Sequence, residues 1–357
     1  VFLLAVGTPS KENGSADLSY LYAAVEMIKS VLKKDITIII RSTVPVGTGK
    51  IIREGFAGEK HKVLVVSMPE FLSEGHSYEE EKSPNRFVIG CADKNGFELI
   101  RDFRKDALKQ GIPFYEMSNE SAELTKYASN IFLSMKISFI NEMARLAEKE
   151  NANIEDVAMA MGADPRIGHA MLHPGVGYGG SCFPKDGKAL LADASSKDTI
   201  LLLPEATAAI NFTQPLYFLK KIKAKIPSLK DVKVALLGLT YKAGTADIRS
   251  SVSLVLAKYL LEEGAVIQAY DPSPVARKAF KAAVPEAHLF GSLEEAIAGV
   301  SGLILMTEES EFANLKEKNL LSWMSGRFIF DGRNLYSLNY FKYFTYVSIG
   351  RKDVIPQ

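Results

Sequence analysis

The chain opens on VFLLAVGTPS (Val1–Ser10), an apolar run that ends in the turn-forming residues Gly7, Thr8 and Pro9. A strand that is apolar on both faces is typical of the interior of a parallel sheet covered by helices. We therefore expect this run to be a central strand, with earlier strands of the protein beside it that precede Val1.

Outward from this run, apolar strand patterns alternate with helical ones through the first third of the chain. The strand candidates are ITIIIRSTVPVG (36–47) and KVLVVSMPEFL (62–72), each running into a loop, and RFVIGC (86–91), and the helix candidates lie in 18–32 and 50–56. This alternation predicts a parallel α/β sheet. Loops that bind ligands follow the carboxyl ends of such strands, here at 7–14, 42–49 and 68–75.

The middle of the chain predicts helices. The stretch from Ser118 to Asn151 contains no proline or glycine and begins with N-cap and acidic residues. A helix of about 30 residues exceeds the usual globular length, so we expect it to span between domains or to form a homodimer contact. Its apolar positions include Leu124, Ala128, Ile131, Met135 and Ile140.

The last third returns to an α/β pattern. KVALLG (233–238) predicts a strand, VSLVLAKYLLEEG (252–264) a helix, and AVIQAYDP (265–272) a second strand. These elements form a βαβ unit of nucleotide-binding type, although the chain contains no G-x-G-x-x-G. We predict three domains, 1–115, 116–214 and 215–357: two Rossmann-like parallel-sheet domains, the first incomplete, joined by a long helix and a helical middle domain.

The composition of the chain limits the classes of partner that it is expected to bind. The chain has 357 residues, 47% of them hydrophobic, and a formal net charge of +1, so neither nucleic acid nor an anionic membrane is an expected partner. No apolar run reaches the ~20 residues of a membrane span. Two cysteines form no disulfide framework, which predicts a reducing, cytoplasmic setting.

Cys182 lies in GVGYGGSCFPKD (175–186), between four glycines and the pair Lys185–Asp186. The alternative is a buried structural thiol, the commoner state of a free cysteine. Glycines indicate a loop that approaches a ligand closely, and the flanking charges suit a reactive thiolate, so a reactive role is favoured. Cys91 ends an apolar run and is interpreted as structural.

The other polar candidates have competing interpretations. Lys126 and Asn130 share a helix face with Glu123, which could be a solvated face or a catalytic one. Glu70 and Glu74 could be acids in the first turn of a helix, and Thr43 a turn residue. His169 and His173 near Cys182 could bind a metal, but no fourth ligand is near in sequence, so we predict no metal.

Eight motifs in order carry a resemblance to a known family. The quoted stretches are VGTPSKENGSADLSYL, RSTVPVGTGK, MPEFLSEGHSYEEEKSPNRFVIG, ELTKYASNIFLSMKISFINEMA, ADPRIG, GVGYGGSCFPKD, GLTYKAGTADIRSS and FDGRNLYS. From end to end the chain resembles the UDP-glucose/GDP-mannose dehydrogenase family. That resemblance implies an NAD-dependent oxidoreductase that oxidises the C6 alcohol of a nucleotide sugar twice, giving a uronic acid.

The resemblance also implies roles for individual residues. Cys182 would form a thiohemiacetal and then a thioester, while Lys126 and Asn130 would stabilise the oxyanion. Asp186, Glu70 and Thr43 would position water and move protons. The implied cofactor-binding residues are Thr8, Pro9, Thr43, Glu74, Lys185 and Arg249. The implied substrate-binding residues are Glu70, Phe71, Leu72, Lys126, Asn130, Arg166 (toward the nucleotide sugar of a partner subunit), Tyr178, Gly179, Gly180, Tyr241, Lys242 and Arg333.

The sequence is compatible with more than one prediction for NAD binding, for activity and for the substrate. In the family, a first βαβ unit carries the glycine-rich pyrophosphate loop; we expect it to precede Val1 and expect weak NAD binding without it. A non-catalytic nucleotide-sugar-binding remnant is the alternative to an enzyme. UDP-glucose is the favoured substrate, with GDP-mannose and UDP-N-acetylhexosamines as alternatives.

Overall fold

The structure is a computed structural model that describes residues 1–356. The strands are β1 (Phe2–Leu4), β2 (Ile36–Ile40), β3 (Val63–Ser67), β4 (Phe87–Cys91), β5 (Phe114–Met117), β6 (Lys233–Leu237), β7 (Val266–Tyr270), β8 (His288–Leu289), β9 (Gly302–Leu305), β10 (Phe328–Asp331) and β11 (Thr345–Val347). The helices are α1 (Ser19–Ser30), α2 (Thr48–Gly55), α3 (Ser77–Lys82), α4 (Lys94–Phe103), α5 (Lys105–Leu108), α6 (Asn119–Glu150), α7 (Ile154–Gly162), α8 (Phe183–Ser195), α9 (Leu202–Lys225), α10 (Val252–Glu262), α11 (Pro274–Ala283), α12 (Leu293–Ile297), α13 (Ser310–Ala313) and α14 (Glu317–Trp323).

The chain divides into two compact units. The first comprises 1–132 and 185–202, and the second comprises 133–184 and 203–357. Helices α6 and α8 each contribute residues to both units. The predicted α/β class with two parallel-sheet domains is confirmed, whereas the three-domain boundaries stay a prediction.

The first unit contains a five-stranded sheet in the order β1-β2-β3-β4-β5. Strands β1, β2 and β3 pair in parallel, as do β4 and β5, but β3 and β4 are antiparallel. Between β3 and β4 the chain forms a loop and the six-residue helix α3, which has no buried residue, so no helix packed on the sheet carries the chain across to a parallel strand. The sheet is therefore mixed at one pair, where an all-parallel sheet was expected.

Strand β1 comes first in the strand order of this sheet, and its central position beside strands that precede Val1 stays a prediction. It pairs only with β2 among the described strands, and it lies at the edge of the sheet. Its side chains Phe2 and Leu3 are exposed, and only Leu4 is buried in the core with residues of β2. Within residues 1–7, Leu4 is buried, Val6 is half-buried and the other residues are exposed.

The second unit contains a six-stranded parallel sheet in the order β11-β10-β9-β6-β7-β8. Side chains of β6 alternate between two cores, with Val234 and Leu236 in one and Ala235 and Leu237 in the other. A sheet with both faces buried and this strand order is the doubly wound dinucleotide-binding fold, whose ligand crevice opens where the strand order reverses, here between β6 and β9.

Most predicted helices are confirmed, including the long α6 and the βαβ unit β6–α10–β7. Helix α8 was not predicted, because its first turn was expected to be part of the glycine-rich loop. None of the helices formed by residues 1–356 has the combined length and apolarity to cross a membrane.

Candidate active site

The N-terminal part of α6 carries three buried polar side chains on one face. Glu123, Lys126 and Asn130 are 3%, 3% and 6% exposed. Their spacing of three and four residues aligns them on the helix. The alternative of a solvated polar face is therefore wrong. Charged groups that are buried in this way require partners.

Lys126 has its partner in the loop after β3. Its Nζ lies 3.4 Å from Glu70 Oε1, and it lies 5.2 Å from the centre of the Phe71 ring. The other Glu70 oxygen accepts a hydrogen bond from the backbone N–H of Leu72 at 2.5 Å. Four predicted substrate-binding residues, Glu70, Phe71, Leu72 and Lys126, thus form a single contact cluster around a buried ammonium.

The segment that follows this loop is held by charges. Helix α3 has no buried residue, and its Glu81 carboxylate binds Arg41 with one oxygen and Arg104 with the other. Glu80 accepts a hydrogen bond from the backbone N–H of Ser73 at 2.5 Å. A cavity of about 210 Å³ lies beside the loop, and Arg41, Glu70, Phe71, Leu72, Glu81 and Arg86 are among its lining residues.

Asn130 contacts the first turn of α8. Its Nδ2 donates to Asp186 Oδ2 at 2.6 Å, and Lys185 Nζ lies 2.5 Å from Asp186 Oδ1. Asp186 is 1% exposed. The structure therefore brings the predicted carboxylate and amide together, although they are 56 residues apart in sequence.

Two predicted cofactor-binding residues meet at the carboxyl edge of the first sheet. Thr8 follows β1 and Thr43 follows β2, and Thr8 Oγ1 donates to the Thr43 carbonyl at 2.8 Å. Pro9 is exposed beside them, and Glu74 lies in the loop after β3 at the same edge. This edge, with hydroxyl groups and loop backbone after neighbouring parallel strands, fits a dinucleotide such as NAD.

The glycine-rich loop of the second unit is fixed by neutral amide side chains. Asn141 Oδ1 accepts from Gly175 N at 2.7 Å, and Gln214 Nε2 donates to Gly175 O at 2.7 Å. Asn211 pairs with both backbone groups of Tyr178, at 2.8 and 3.0 Å. Burial raises the pKa of the Tyr178 hydroxyl. The loop therefore has a defined conformation.

Gly179 and Gly180 are required by close approach. A Cβ at Gly179 would lie 2.1 Å from the Ser250 carbonyl oxygen, and one at Gly180 would lie 2.8 Å from the Tyr241 ring. Gly180 also has a φ of +86°. These contacts fix the chain just before Cys182, whose thiol is exposed directly before the first residue of α8. The N-terminal end of a helix favours negative charge at that position.

The remaining predicted substrate residues lie near the crevice of the second sheet. Tyr241 and Lys242 follow β6, with Lys242 Nζ 5.7 Å from the Tyr241 ring. Arg333 follows β10, and its Nε donates to Met306 O at 2.7 Å. Arg249, which was predicted to bind the cofactor, also follows β6 and is paired with Asp247 at 2.7 Å.

Arg166 is largely exposed and paired with Asp164 at 2.6 Å. In the described residues 1–356, no group of three or more His, Cys, Asp or Glu side chains could hold a metal ion.

The residues that hold the loops in place were not predicted from the sequence. Asn141, Asn211 and Gln214 hold the glycine loop, and Glu123 was named only as a neighbour of Lys126. A signal existed: Asn211 and Gln214 are three residues apart in α9, which places them on one face of the helix.

Comparison with known protein families gives matches along most of the chain. Models of the UDP-glucose/GDP-mannose dehydrogenase family match three successive stretches: the NAD binding domain at residues 1–106, the central domain at 120–213 and the UDP binding domain at 235–338. The three matches follow the order of the resemblance deduced from the motifs.

Individual relatives agree with this match. The UDP-glucose 6-dehydrogenase of Rhizobium meliloti is 40% identical over 99% of this chain and 82% of its own length, and that of Pseudomonas aeruginosa is 38% identical over 94% and 77%. Among solved structures, a UDP-glucose dehydrogenase from Pyrobaculum islandicum has a TM-score of 0.88 at 32% identity, covering 97% of this chain and 78% of that one. A UDP-D-ManNAc dehydrogenase from Pyrococcus horikoshii has a TM-score of 0.85 at 27% identity, with coverages of 99% and 81%. From these matches and the ordered motifs, we conclude that the chain belongs to the UDP-glucose/GDP-mannose dehydrogenase family of NAD-binding oxidoreductases.

Proposed function

We propose that this protein oxidises the C6 alcohol of a nucleotide sugar, UDP-glucose before others, to the uronic acid. The observation that carries the proposal is the buried face of α6, where Lys126 pairs with Glu70 and Asn130 pairs with Asp186. A buried ammonium and a buried carboxylate, each held by a partner, are suited to stabilising an oxyanion and to moving a proton.

NAD would be held by residues at the carboxyl edge of the first sheet, with Thr8, Pro9, Thr43 and Glu74 as the contacts and with Lys185 and Arg249 as further charged groups. When bound, NAD supplies the acceptor for the hydride that leaves C6 in each of the two oxidations. The chain's own residues then account for proton movement, capture of the aldehyde and hydrolysis.

Cys182 captures the aldehyde. Its Sγ, as thiolate, forms a bond to the aldehyde carbon, and the carbonyl π-electrons move to oxygen. The Lys126 ammonium stabilises that oxyanion, with the Asn130 amide as a second donor. The product is a thiohemiacetal, which prevents release of a reactive aldehyde.

Loss of the second hydride from the thiohemiacetal carbon leaves a thioester on Cys182. Water then attacks the thioester carbon while Asp186, assisted by Glu70 and Thr43, accepts the water proton. The C–S bond breaks, the thiolate is regenerated, and the sugar leaves as a carboxylate. One water is consumed and two hydrides are removed for each acid formed.

The glycine loop and the second sheet would bind the nucleotide sugar. We assign the sugar to Tyr178, Gly179 and Gly180 with Phe71 and Leu72, and the diphosphate and base to Tyr241, Lys242 and Arg333. Arg166 would reach the nucleotide sugar of a partner subunit. The similar proteins are UDP-glucose and UDP-D-ManNAc dehydrogenases, which supports a UDP-sugar over a GDP-sugar.

The test is a panel of UDP-glucose, a UDP-N-acetylhexosamine and GDP-mannose, each incubated with NAD while NADH and the acid product are measured. UDP-glucose should give two NADH per uronic acid. Binding of UDP-glucose with no NADH formation would support the non-catalytic alternative instead.

We also propose a homodimer that uses α6. Its outer face carries exposed apolar side chains at Leu124, Phe132, Phe139 and Leu146, which are 47%, 56%, 39% and 54% exposed. Of the apolar positions noted in the sequence, Ile131 and Ile140 are buried and Leu124 is exposed. An apolar stripe along a helix marks an interaction surface. Phe132→Glu should shift light scattering toward the monomer, and an unchanged parent-like mass would contradict the proposal.

Two further proposals concern organisation. The division into 1–115, 116–214 and 215–357 assigns NAD binding, dimerisation with catalysis, and UDP binding to successive domains. A reducing, cytoplasmic setting is supported by the two free cysteines, Cys91 and Cys182.

A further inference from the structure

Glu123 is a buried carboxylate that the proposed reaction does not use. Its Oε2 accepts from Gly47 N at 2.7 Å, and its Oε1 accepts from Gly49 N at 2.8 Å and from Ser67 Oγ at 2.9 Å. Burial raises the pKa of Glu123, and the N–H donors of Gly49 and Gly47 oppose that rise. Three donors on one buried carboxylate form a fixed contact rather than an incidental one.

The backbone at this contact is shaped to admit the carboxylate. Gly47 is the N-cap of α2 with a φ of +97°, and no side chain of its own caps that helix. A Cβ at Gly49 would lie 2.9 Å from each of Glu123 Oε1, Asn119 Nδ2 and Ser67 Oγ. Gly49 therefore leaves the space that these polar atoms fill, and Glu123 acts as the cap of α2 from another element.

The segment fixed in this way carries Thr43. It leaves β2 and reaches the cap within seven residues, with Thr48 Oγ1 bonded to Pro45 O at 2.6 Å. At its start, Ser42 Oγ bonds to Val6 O at 2.7 Å. Glu123 is the point at which the far end of this segment is joined to α6.

Two loops and the first turn of α8 are thus joined to one face of α6. Glu123 holds the segment with Thr43, Lys126 contacts the loop with Glu70, and Asn130 contacts Asp186. We propose that Glu123 is a positioning residue for Thr43: its carboxylate fixes the 42–49 segment to α6 and so sets Thr43 relative to Lys126 and Asn130. This inference rests on the proposed function, because it concerns the role of Thr43 in that reaction.

Glu123→Gln tests the contact without changing side-chain size. The amide keeps one oxygen for Gly49 and Ser67 but turns an NH₂ group toward the Gly47 N–H, so a buried donor loses its acceptor. Hydrogen exchange at the Gly47 amide should speed up by about tenfold or more, whereas amides of residues 70–74 should keep the parent rate. Glu120→Gln removes the same charge one turn earlier on α6 and should leave both regions unchanged. Parent-like exchange at Gly47 would overturn the proposal.

Kinetics separate positioning from a purely structural role. Glu123→Gln should lower kcat by roughly 10- to 100-fold with KM for UDP-glucose nearly unchanged, because only the geometry of a reacting group is altered. In a double-mutant cycle with Thr43→Val, the second change should add little, whereas with Glu70→Gln the effects on kcat should multiply. Multiplicative effects with Thr43→Val would show that Glu123 does not act through Thr43.

The proposal stays testable if Glu123→Gln does not fold or if the parent forms no NADH. If Glu123→Gln fails to fold, Gly49→Ala displaces the carboxylate without a charge change and should give the same exchange and kcat pattern. A parent that forms no NADH would defeat the proposed function and the role of Thr43 with it, while the exchange experiment would still decide whether Glu123 holds the segment.

Discussion

The loop at 69–75 and the loop at 175–180 are held by different kinds of contact. Around the first, charged groups dominate: Glu70 pairs with Lys126, and Glu81 bridges Arg41 and Arg104 beside a cavity of about 210 Å³. The second is buried and fixed by the neutral side chains of Asn141, Asn211 and Gln214.

This difference matches the roles proposed for the two loops. Neutral amides satisfy backbone groups without adding charge, so the glycine loop forms a stable frame before the nucleophile. Charged contacts leave an ammonium and a carboxylate able to respond when charge develops on a substrate oxygen. We therefore expect salt to have little effect on the neutral contacts of the 175–180 loop and to weaken the charged contacts of the 69–75 loop.

The largest effect is expected at Cys182, which follows the loop held by neutral side chains. Cys182→Ala should lower uronic acid formation by roughly 10³-fold or more, because the thiohemiacetal and the thioester cannot form without the thiol. Product analysis after incubation with UDP-glucose and NAD measures this loss. A rate near that of the parent would remove Cys182 as the nucleophile.

Thiol labelling gives the matched control for that prediction. Burial raises the pKa of the Cys91 thiol, whereas Cys182 is exposed. An alkylating reagent should therefore label Cys182 first, and Cys91→Ala should keep both activity and that labelling.

A smaller effect is expected from the charged loop. Lys126→Met removes the ammonium beside Glu70 and should lower kcat by about 10²- to 10³-fold, in line with loss of one oxyanion donor. Activity of the parent and the variant with UDP-glucose measures it. Arg101→Met, an exposed cation paired with Glu116 on the same unit, should leave kcat unchanged, and equal losses in both variants would point to a general charge effect.

The neutral contacts that hold the 175–180 loop can be removed by mutation. Asn211→Ala leaves both backbone groups of Tyr178 without their partner and should lower the free energy of unfolding by about 2 kcal/mol. Chemical denaturation measures the change. Asn314→Ala, which removes an exposed asparagine bonded only to Ser310 O, should cost far less, and similar costs at both positions would mean that Asn211 does not fix the loop.

The smallest effect is expected at α3. Glu81→Gln weakens the bridge to Arg41 and Arg104 and should lower the free energy of unfolding by about 1 kcal/mol, a difference that should shrink at high salt. Glu79→Gln, an exposed change on the same helix, is the control. A salt-independent loss at Glu81 would contradict the view that charge holds this segment.

Local patterns were enough to predict the long α6 and the β6–α10–β7 unit, because helix length and apolar runs are local properties. The start of α8 was missed although Pro184 and Asp186 are early-turn signals, since four preceding glycines suggested a loop. The antiparallel pairing of β4 has no local signal, because strand direction depends on its partners. Likewise, the spacing of Glu123, Lys126 and Asn130 predicted a shared face but not which loops would meet it.

The buried polar face of α6 also limits how its gene can change in length. Glu123, Lys126, Asn130, Ser134, Ser138 and Asn141 are all buried, at intervals of three or four residues. Inserting or deleting one codon in this stretch would rotate every later side chain on the helix by about 100°. Outward positions can accept many substitutions, but a single added residue would misplace several polar groups at once. Length, more than residue identity, is therefore the property of this segment that mutation can least alter.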